Sequence, residues 1–136
     1  MLSALLLPAA IAAGLPTDPP DLKGIWRGTS ICVDHARDTA CRDEQVVYRF
    51  RPDPARTDSV TMDAGKMVDG KEEAMGELAL GTDRRTGELA MEWVAPRGFH
   101  GRWAFKVSGD QLTGTLVELP GGRLVRRVTA RREAKP

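Results

Sequence analysis

Beyond residue 23, apolar and polar residues alternate with a period of two almost throughout the chain. The clearest example is the segment from Glu88 to Val94, where Leu89, Met91 and Trp93 alternate with acidic or small residues. Alternation of this kind turns one side of a strand towards a core, whereas an amphipathic helix repeats every three to four residues. No convincing helical pattern is present, so the chain is predicted to be all-β.

Turn residues interrupt these segments about every 8–12 residues, which predicts eight short strands. Asp69-Gly70 and Gly109-Asp110 predict two-residue hairpin turns, and Pro120-Gly121-Gly122 predicts a three-residue turn that ends in a left-handed glycine. Successive hairpins favour an up-and-down meander, which closes readily into a barrel at eight strands. We therefore predict an eight-stranded antiparallel up-and-down β-barrel, with a Greek-key sandwich as the alternative.

The last two turns also predict the register of the final three strands. Counting back from the earlier turn sets Phe105 opposite Gly114, so that the ring covers the bare backbone. Counting from the later turn sets Glu118 opposite Leu124 and places Arg126 on the inward face.

The N-terminal residues are uncharged and rich in Leu and Ala, and Ala10 and Ala12 form a small-x-small cleavage site. This pattern predicts a secretory signal peptide over residues 1–12, a Pro-rich linker over 13–22 and a single barrel domain over 23–136. A buried N-terminal helix is the alternative, although the prolines argue against it. The protein is thus expected to be exported, either periplasmic or secreted, with no transmembrane segment in the mature chain.

Two cysteines, Cys32 and Cys41, bracket a polar loop. An even number of cysteines in an exported chain favours a disulfide, which would contribute roughly 2–3 kcal/mol by the loop-entropy relation. Free thiols are an alternative. A metal site including Asp34 and His35 is another, but the paired spacing of zinc ligands is absent, so no metal is predicted.

Charge excludes one class of partner and leaves another open. Twenty basic residues stand against 19 acidic ones, a formal net charge of +1, which gives no reason to expect nucleic-acid binding. Near the C-terminus, alternation directs Arg123, Arg127 and Arg131 outwards. This basic stripe forms either a solvated face paired with neighbouring acids or a surface for an anionic partner.

Residues suited to catalysis are few. A Ser30, His100 and Asp110 arrangement can be drawn, but no nucleophile-elbow motif accompanies it, and no phosphate-binding loop or metalloprotease motif is present. The protein is predicted not to be an enzyme and to need no cofactor, with a small hydrolase as a third hypothesis.

Gly24-Ile25-Trp26 opens the first strand, and Arg126 and Arg127 lie in the last. In this respect the chain resembles the calycin superfamily, which includes lipocalins, fatty-acid-binding proteins and avidins, and more loosely small exported bacterial barrels and barrel-shaped periplasmic lysozyme inhibitors. The resemblance implies that Trp26 closes one barrel end and that Arg126 or Arg127 stacks on it.

These observations lead to two functional hypotheses. The first is a lipocalin-like barrel that binds a small apolar or amphiphilic ligand in its lumen. Its predicted lining is Trp26, Tyr48, Met91, Trp93, Trp103, Phe105 and Arg126. Arg126 would either receive an anionic group of the ligand or pair with Glu118. The alternative is an interaction module, such as an inhibitor of an exported enzyme, that acts on a protein partner through a rigid Cys32–Cys41 loop presenting His35, Arg37 and Asp38.

Overall fold

The structure, a computed structural model, describes residues 19–134 and shows an eight-stranded antiparallel barrel. The strands are β1 (Ile25–Cys32), β2 (Glu44–Pro52), β3 (Ser59–Val68), β4 (Lys71–Thr82), β5 (Leu89–Val94), β6 (His100–Ser108), β7 (Gln111–Glu118) and β8 (Arg123–Arg132). Each strand pairs with the next, and β8 pairs with β1 to close the barrel. The predicted fold class is confirmed.

The predicted signal peptide and the first six residues of the predicted linker lie outside the described residues. Within residues 19–134, no helix is long and apolar enough to cross a membrane.

Turn chemistry sets much of the register. Asp69 and Gly70 both have positive φ, 50° and 78°, as a two-residue hairpin turn with right-handed strand twist requires. The β6–β7 register is the predicted one, with Phe105 opposite Gly114. A Cβ at Gly114 would lie 2.5 Å from the Phe105 ring, so only glycine leaves room for that ring.

The predicted pairing of Glu118 with Leu124 is wrong, because the β7–β8 loop contains four residues rather than three. Glu118 lies opposite Arg123, and Val117 lies opposite Leu124. A register shift between Leu116 and Val117 then restores the predicted pairing further along the strands, where Leu116 faces Arg126. A bulge of this kind absorbs one extra residue and bends the strand locally.

One hydrophobic cluster receives side chains from all eight strands. Its buried members are Trp26, Val46, Tyr48, Val60, Met62, Leu80, Leu89, Phe105, Leu112, Val128 and Ala130. An eight-stranded barrel is just wide enough for such side chains to fill its interior. The cluster therefore forms the core.

The strands β4 and β5 form the weakest junction of the described barrel. They pair only through Gly81 with Ala90 and Thr82 with Leu89. The pairing of β4 with β3 shifts by one residue opposite Ala64 and Gly65 of β3, because β4 contributes one extra residue there. Gly76 of β4, at the same place, has a φ of 143°. A bulge bends a strand, and this one lies in the part of β4 that does not pair with β5.

Candidate functional site

Most of the predicted lumen residues contact one another in the barrel interior. Trp26 is fully buried, and Tyr48 and Phe105 are nearly so. Trp103 stacks on Phe105 at 5.6 Å between ring centroids, and Tyr48 meets the same ring edge-on at 6.1 Å. Trp103 and Met91 are partly buried against the core. Burial, the largest cause, and the nearby charge of Glu44 raise the pKa of the Tyr48 hydroxyl, so it stays neutral.

Trp93 lies apart from this group. It is 38% exposed near the end of β5, and its ring contacts Phe99 at 5.8 Å between centroids. The alternation of β5 places it on the same side as Leu89 and Met91, but at the rim of the barrel.

Arg126 points inwards, but its guanidinium hydrogen-bonds to other residues of the protein. Its Nη1 donates to the Ser30 hydroxyl at 3.1 Å, and its Nη2 donates to the Arg42 carbonyl oxygen at 2.9 Å. Glu44 is its nearest carboxylate, at 3.9 Å. The predicted pairing with Glu118 is not found, because Glu118 contacts Arg123 instead. Arg126 therefore holds the loop between β1 and β2 onto the barrel.

The arginine that stacks on Trp26 is Arg132, whose guanidinium carbon lies 4.4 Å from the ring centroid. The expectation that Arg126 or Arg127 would do so is wrong. The register explains the correction: Trp26 lies opposite Arg132, whereas Arg126 lies opposite Cys32 at the other end of β1.

The Cys32–Cys41 disulfide is confirmed, with an S–S distance of 2.03 Å. Within the loop, the Asp34 carboxylate accepts a hydrogen bond from the backbone N–H of Arg37 at 3.0 Å. Asp38 turns back to the barrel and accepts two hydrogen bonds from Arg123, at 2.9 and 3.1 Å. These hydrogen bonds lower the pKa of the Asp38 carboxyl. The loop is thus tied at several points, and Asp38, whose side chain is 22% exposed, is engaged by Arg123 rather than free for a partner.

The same loop offers a poor set of metal ligands. His35 and Asp43 lie 3.2 Å apart, with the Cys32 sulfur nearby. Because that sulfur is held in a disulfide, it offers no thiolate. Two exposed side chains remain, fewer than the three or four protein ligands of a zinc site.

Arg132 anchors an N-terminal strap, residues 19–24, across the opposite end of the barrel. Its Nη2 donates to the Asp21 carbonyl oxygen at 2.7 Å, and its Nη1 donates to the carbonyl oxygen of Lys23. Its Nε also contacts the Asp110 carboxylate at 2.9 Å. The indole N–H of Trp26 adds a hydrogen bond to the Leu22 carbonyl oxygen at 3.2 Å. We call this end the mouth.

A cleft of about 770 Å³ opens at the mouth, between the strap and the loops that follow β2 and β4. Phe50, Val60 and Leu89 contribute apolar side chains that also belong to the core or pack against it. The full lining is Pro19, Pro20, Asp21, Leu22, Lys23, Phe50, Pro52, Thr57, Asp58, Ser59, Val60, Thr82, Asp83, Arg84, Gly87 and Leu89. A second cleft, of about 490 Å³, includes Val107, Asp110 and Arg132 in its lining.

None of the seven predicted ligand residues lines either cleft. Sequence reasoning missed the mouth because its wall comes from residues assigned to a linker. One signal was available: Leu22 is apolar within a stretch of Pro, Asp and Lys, and it lies four residues before Trp26. In the structure Leu22 packs against the core.

The drawn arrangement of Ser30, His100 and Asp110 does not come together. Ser30 bonds to Arg126, and His100 contacts Glu92 at 3.1 Å. Asp110 lies at the mouth on Arg132, at the opposite end from His100.

No protein-family model and no curated protein matches this chain.

Proposed function

We propose that this protein is an exported, non-catalytic, calycin-like barrel that binds a small apolar or amphiphilic molecule at its mouth. The observation that carries the proposal is the cleft of about 770 Å³, because sites for small molecules usually measure about 300–1,000 Å³ and are mostly apolar. The Cys32–Cys41 disulfide is compatible with an oxidising compartment outside the cytoplasm.

The mouth is a better candidate than the lumen that the sequence suggested. Tyr48, Trp103 and Phe105 pack on one another in the interior, so a ligand there would have to displace aromatic contacts. At the mouth, the apolar part of a ligand can reach Phe50 and Leu22 without disturbing these rings.

Polar groups around the cleft suit an amphiphile. Thr57, Asp58 and Ser59 lie along one side, where β3 begins, and Thr82 lies at the end of β4. An apolar body would rest on the core side of the cleft, while hydroxyl or amine groups face these oxygen atoms.

The test uses 8-anilinonaphthalene-1-sulfonate, whose fluorescence rises in apolar clefts. Thr57→Trp places a large ring in the cleft, and Thr113→Trp places the same ring on the exposed outer face of β7. We expect Thr57→Trp to weaken dye binding at least tenfold and Thr113→Trp to leave it unchanged. Equal affinities in both variants and the parent protein would contradict the proposal.

A second experiment asks for the natural ligand. Native mass spectrometry of protein purified from its exporting cell, before and after organic extraction, is expected to show an extractable small mass. That mass should be absent from Thr57→Trp and present on Thr113→Trp. Its retention by Thr57→Trp would place the ligand elsewhere.

The interaction module remains a second candidate, favoured by the tethering of the Cys32–Cys41 loop. The disulfide, the Asp38–Arg123 pair and the Arg126 hydrogen bond to Arg42 hold this loop on the barrel. Arg37 is exposed at its surface. If the loop binds an exported enzyme, Arg37→Glu should abolish capture of that enzyme and leave dye binding at the mouth intact. Capture that is unchanged by Arg37→Glu would count against this candidate.

A further inference from the structure

The seam between β4 and β5 leaves two strand edges without partners. β4 has 12 residues and β5 has six, yet only two residue pairs join them. Continuing their register would set Leu78 opposite Trp93 and Glu77 opposite Val94, and neither pair forms. The remainder of each strand therefore runs alongside an open seam.

Hydrogen bonds at the paired end of the seam, beside Thr82 and Leu89, show which backbone groups of β4 point into the seam. The N–H of Asp83 donates to the Glu88 carbonyl oxygen across the seam at 2.8 Å, whereas the N–H of Thr82 donates to the β3 side. Backbone groups of alternate residues in a strand point to the same neighbour. Glu77 and Ala79 therefore direct their N–H and C=O groups into the seam, and both residues are exposed.

The same argument applies to β5. The N–H of Ala95 donates to the Phe99 carbonyl oxygen on the β6 side at 2.8 Å. Glu92 and Val94, which have the opposite parity, then face β4, and both are exposed. Within residues 19–134, these backbone groups have no strand partner, and unpaired edges of this kind accept an added strand.

Apolar side chains flank the seam on its inward side. Leu78 and Met91 are partly buried and pack against the core. Exposed apolar side chains lie nearby on the same two strands: Met75 is 40% exposed, Trp93 38% and Val94 66%. A strand added here would cover Leu78 and Met91 with every second side chain.

Acidic side chains flank the seam on its outward side. Glu77 and Glu92 are each 66% exposed. Each contacts one basic side chain, Arg51 at 2.8 Å for Glu77 and His100 at 3.1 Å for Glu92, on the side away from the seam. The outward side chains of an added strand would lie between these carboxylates, which favours cations.

The same charges disfavour a second copy of this chain. Antiparallel pairing of two β4 edges centred on Glu77 would set the Glu77 side chains of the two copies opposite each other on the outward side. Like charges that face each other across strands are destabilising.

We propose that the seam is a docking site for an extended segment of another protein, in which apolar side chains alternate with Lys or Arg. The segment adds as a strand to the edge of β4, and its backbone bonds to Glu77 and Ala79. Its apolar side chains cover the inward side of the seam, and its cations meet Glu77 and Glu92.

The probe is an end-capped eight-residue peptide of alternating valine and lysine, and its counterpart alternates valine and glutamate. Binding is measured by intrinsic tryptophan fluorescence, to which Trp93 beside the seam contributes, and by amide hydrogen exchange. The parent protein should bind the lysine peptide at least tenfold more tightly than the glutamate peptide. Binding should slow exchange at Glu77 and Ala79.

Two variants test the geometry and one serves as a control. Ala79→Pro removes the N–H that points into the seam, a substitution that an edge strand tolerates, and it should weaken lysine-peptide binding at least tenfold. The double variant Glu77→Lys/Glu92→Lys should reverse the preference between the two peptides. Glu133→Lys, at an exposed acid after β8, should change neither affinity.

Three results would overturn the proposal. One is a peptide preference that survives Glu77→Lys/Glu92→Lys, a readout that holds even if Ala79→Pro fails to fold. Another is slow amide exchange at Glu77 and Ala79 in the free full-length chain, because another part of the chain would then cover the edge. The third is concentration-dependent dimerisation that Ala79→Pro abolishes, because the occupant would then be a second copy.

Discussion

At each end of the barrel, an arginine of β8 holds a chain segment in place, but the two segments differ in how firmly they are held. Arg126 and Arg132 both project inwards from β8, and each donates hydrogen bonds to the backbone carbonyl oxygens of the segment that covers its end. At one end that segment is the loop closed by the Cys32–Cys41 disulfide. At the other end it is the strap. Hydrogen bonds hold the strap on one side, and on its other side it borders a cleft of about 770 Å³.

The disulfide-closed loop is held more firmly on the barrel than the strap is. A loop held by a covalent bond and by Arg123 and Arg126 has little freedom to admit a ligand. The strap depends chiefly on Arg132 and Trp26, so the two ends should respond differently to substitution.

Removal of the disulfide is expected to have the largest effect on stability. Cys32→Ala/Cys41→Ala should lower the free energy of unfolding by roughly 2–3 kcal/mol, because the unfolded chain regains the entropy of the loop. Urea denaturation measures the change. Dye binding at the mouth should stay within twofold of the parent, and a tenfold loss would show that the two ends are coupled.

The two inward arginines form a matched pair of substitutions. Arg132→Ala should cost about 2 kcal/mol, since it removes charged hydrogen bonds and the contact with Trp26. It should also weaken dye binding about tenfold, because the strap forms one wall of the cleft. Arg126→Ala should cost a similar amount in urea denaturation and leave dye binding unchanged. Equal losses of dye binding in both variants would remove the distinction between the ends.

Acid should weaken the Asp38–Arg123 pair at the disulfide end. The hydrogen bonds from Arg123 lower the pKa of Asp38 in the folded protein, so the stability from this pair is present above the ordinary carboxyl pKa of about 4. It is lost as pH falls through the lowered value. Thermal melting between pH 7 and pH 2 should show a smaller acid-induced decrease for Asp38→Asn than for the parent. Identical pH profiles would contradict this assignment.

The smallest effect is expected at Trp93. Because its side chain is 38% exposed and contacts Phe99, Trp93→Ala should cost no more than about 1 kcal/mol in urea denaturation. Dye binding should be unchanged if the ligand lies at the mouth. Loss of dye binding would return the site to the lumen that the sequence suggested.

The confirmed predictions of the fold depend on residues that are close together in the sequence. The Asp69-Gly70 turn and the pairing of Phe105 with Gly114 follow from residues close in sequence. The pairing of Glu118 failed because turn composition did not show that Leu119 joins the loop or that a bulge compensates for it.

The site was harder to predict because it depends on contacts between distant residues. Arg126 and Arg132 share the inward face of β8, and only the β1–β8 register decides which of them meets Trp26. That register joins residues more than 90 positions apart, as the hydrogen bond between Arg126 and Ser30 illustrates. The mouth likewise combines the strap with loops after β2 and β4, a combination that alternation within single strands does not encode.

The pairing of β1 with β8 also brings the start of β1 beside the end of β8, since the N–H of Glu133 donates to the Ile25 carbonyl oxygen at 2.7 Å. A short peptide linker could therefore join these ends, and new termini could be opened in the loop between β4 and β5. Such a circular permutant would interrupt a junction of only two residue pairs while leaving the seven other strand junctions within the chain.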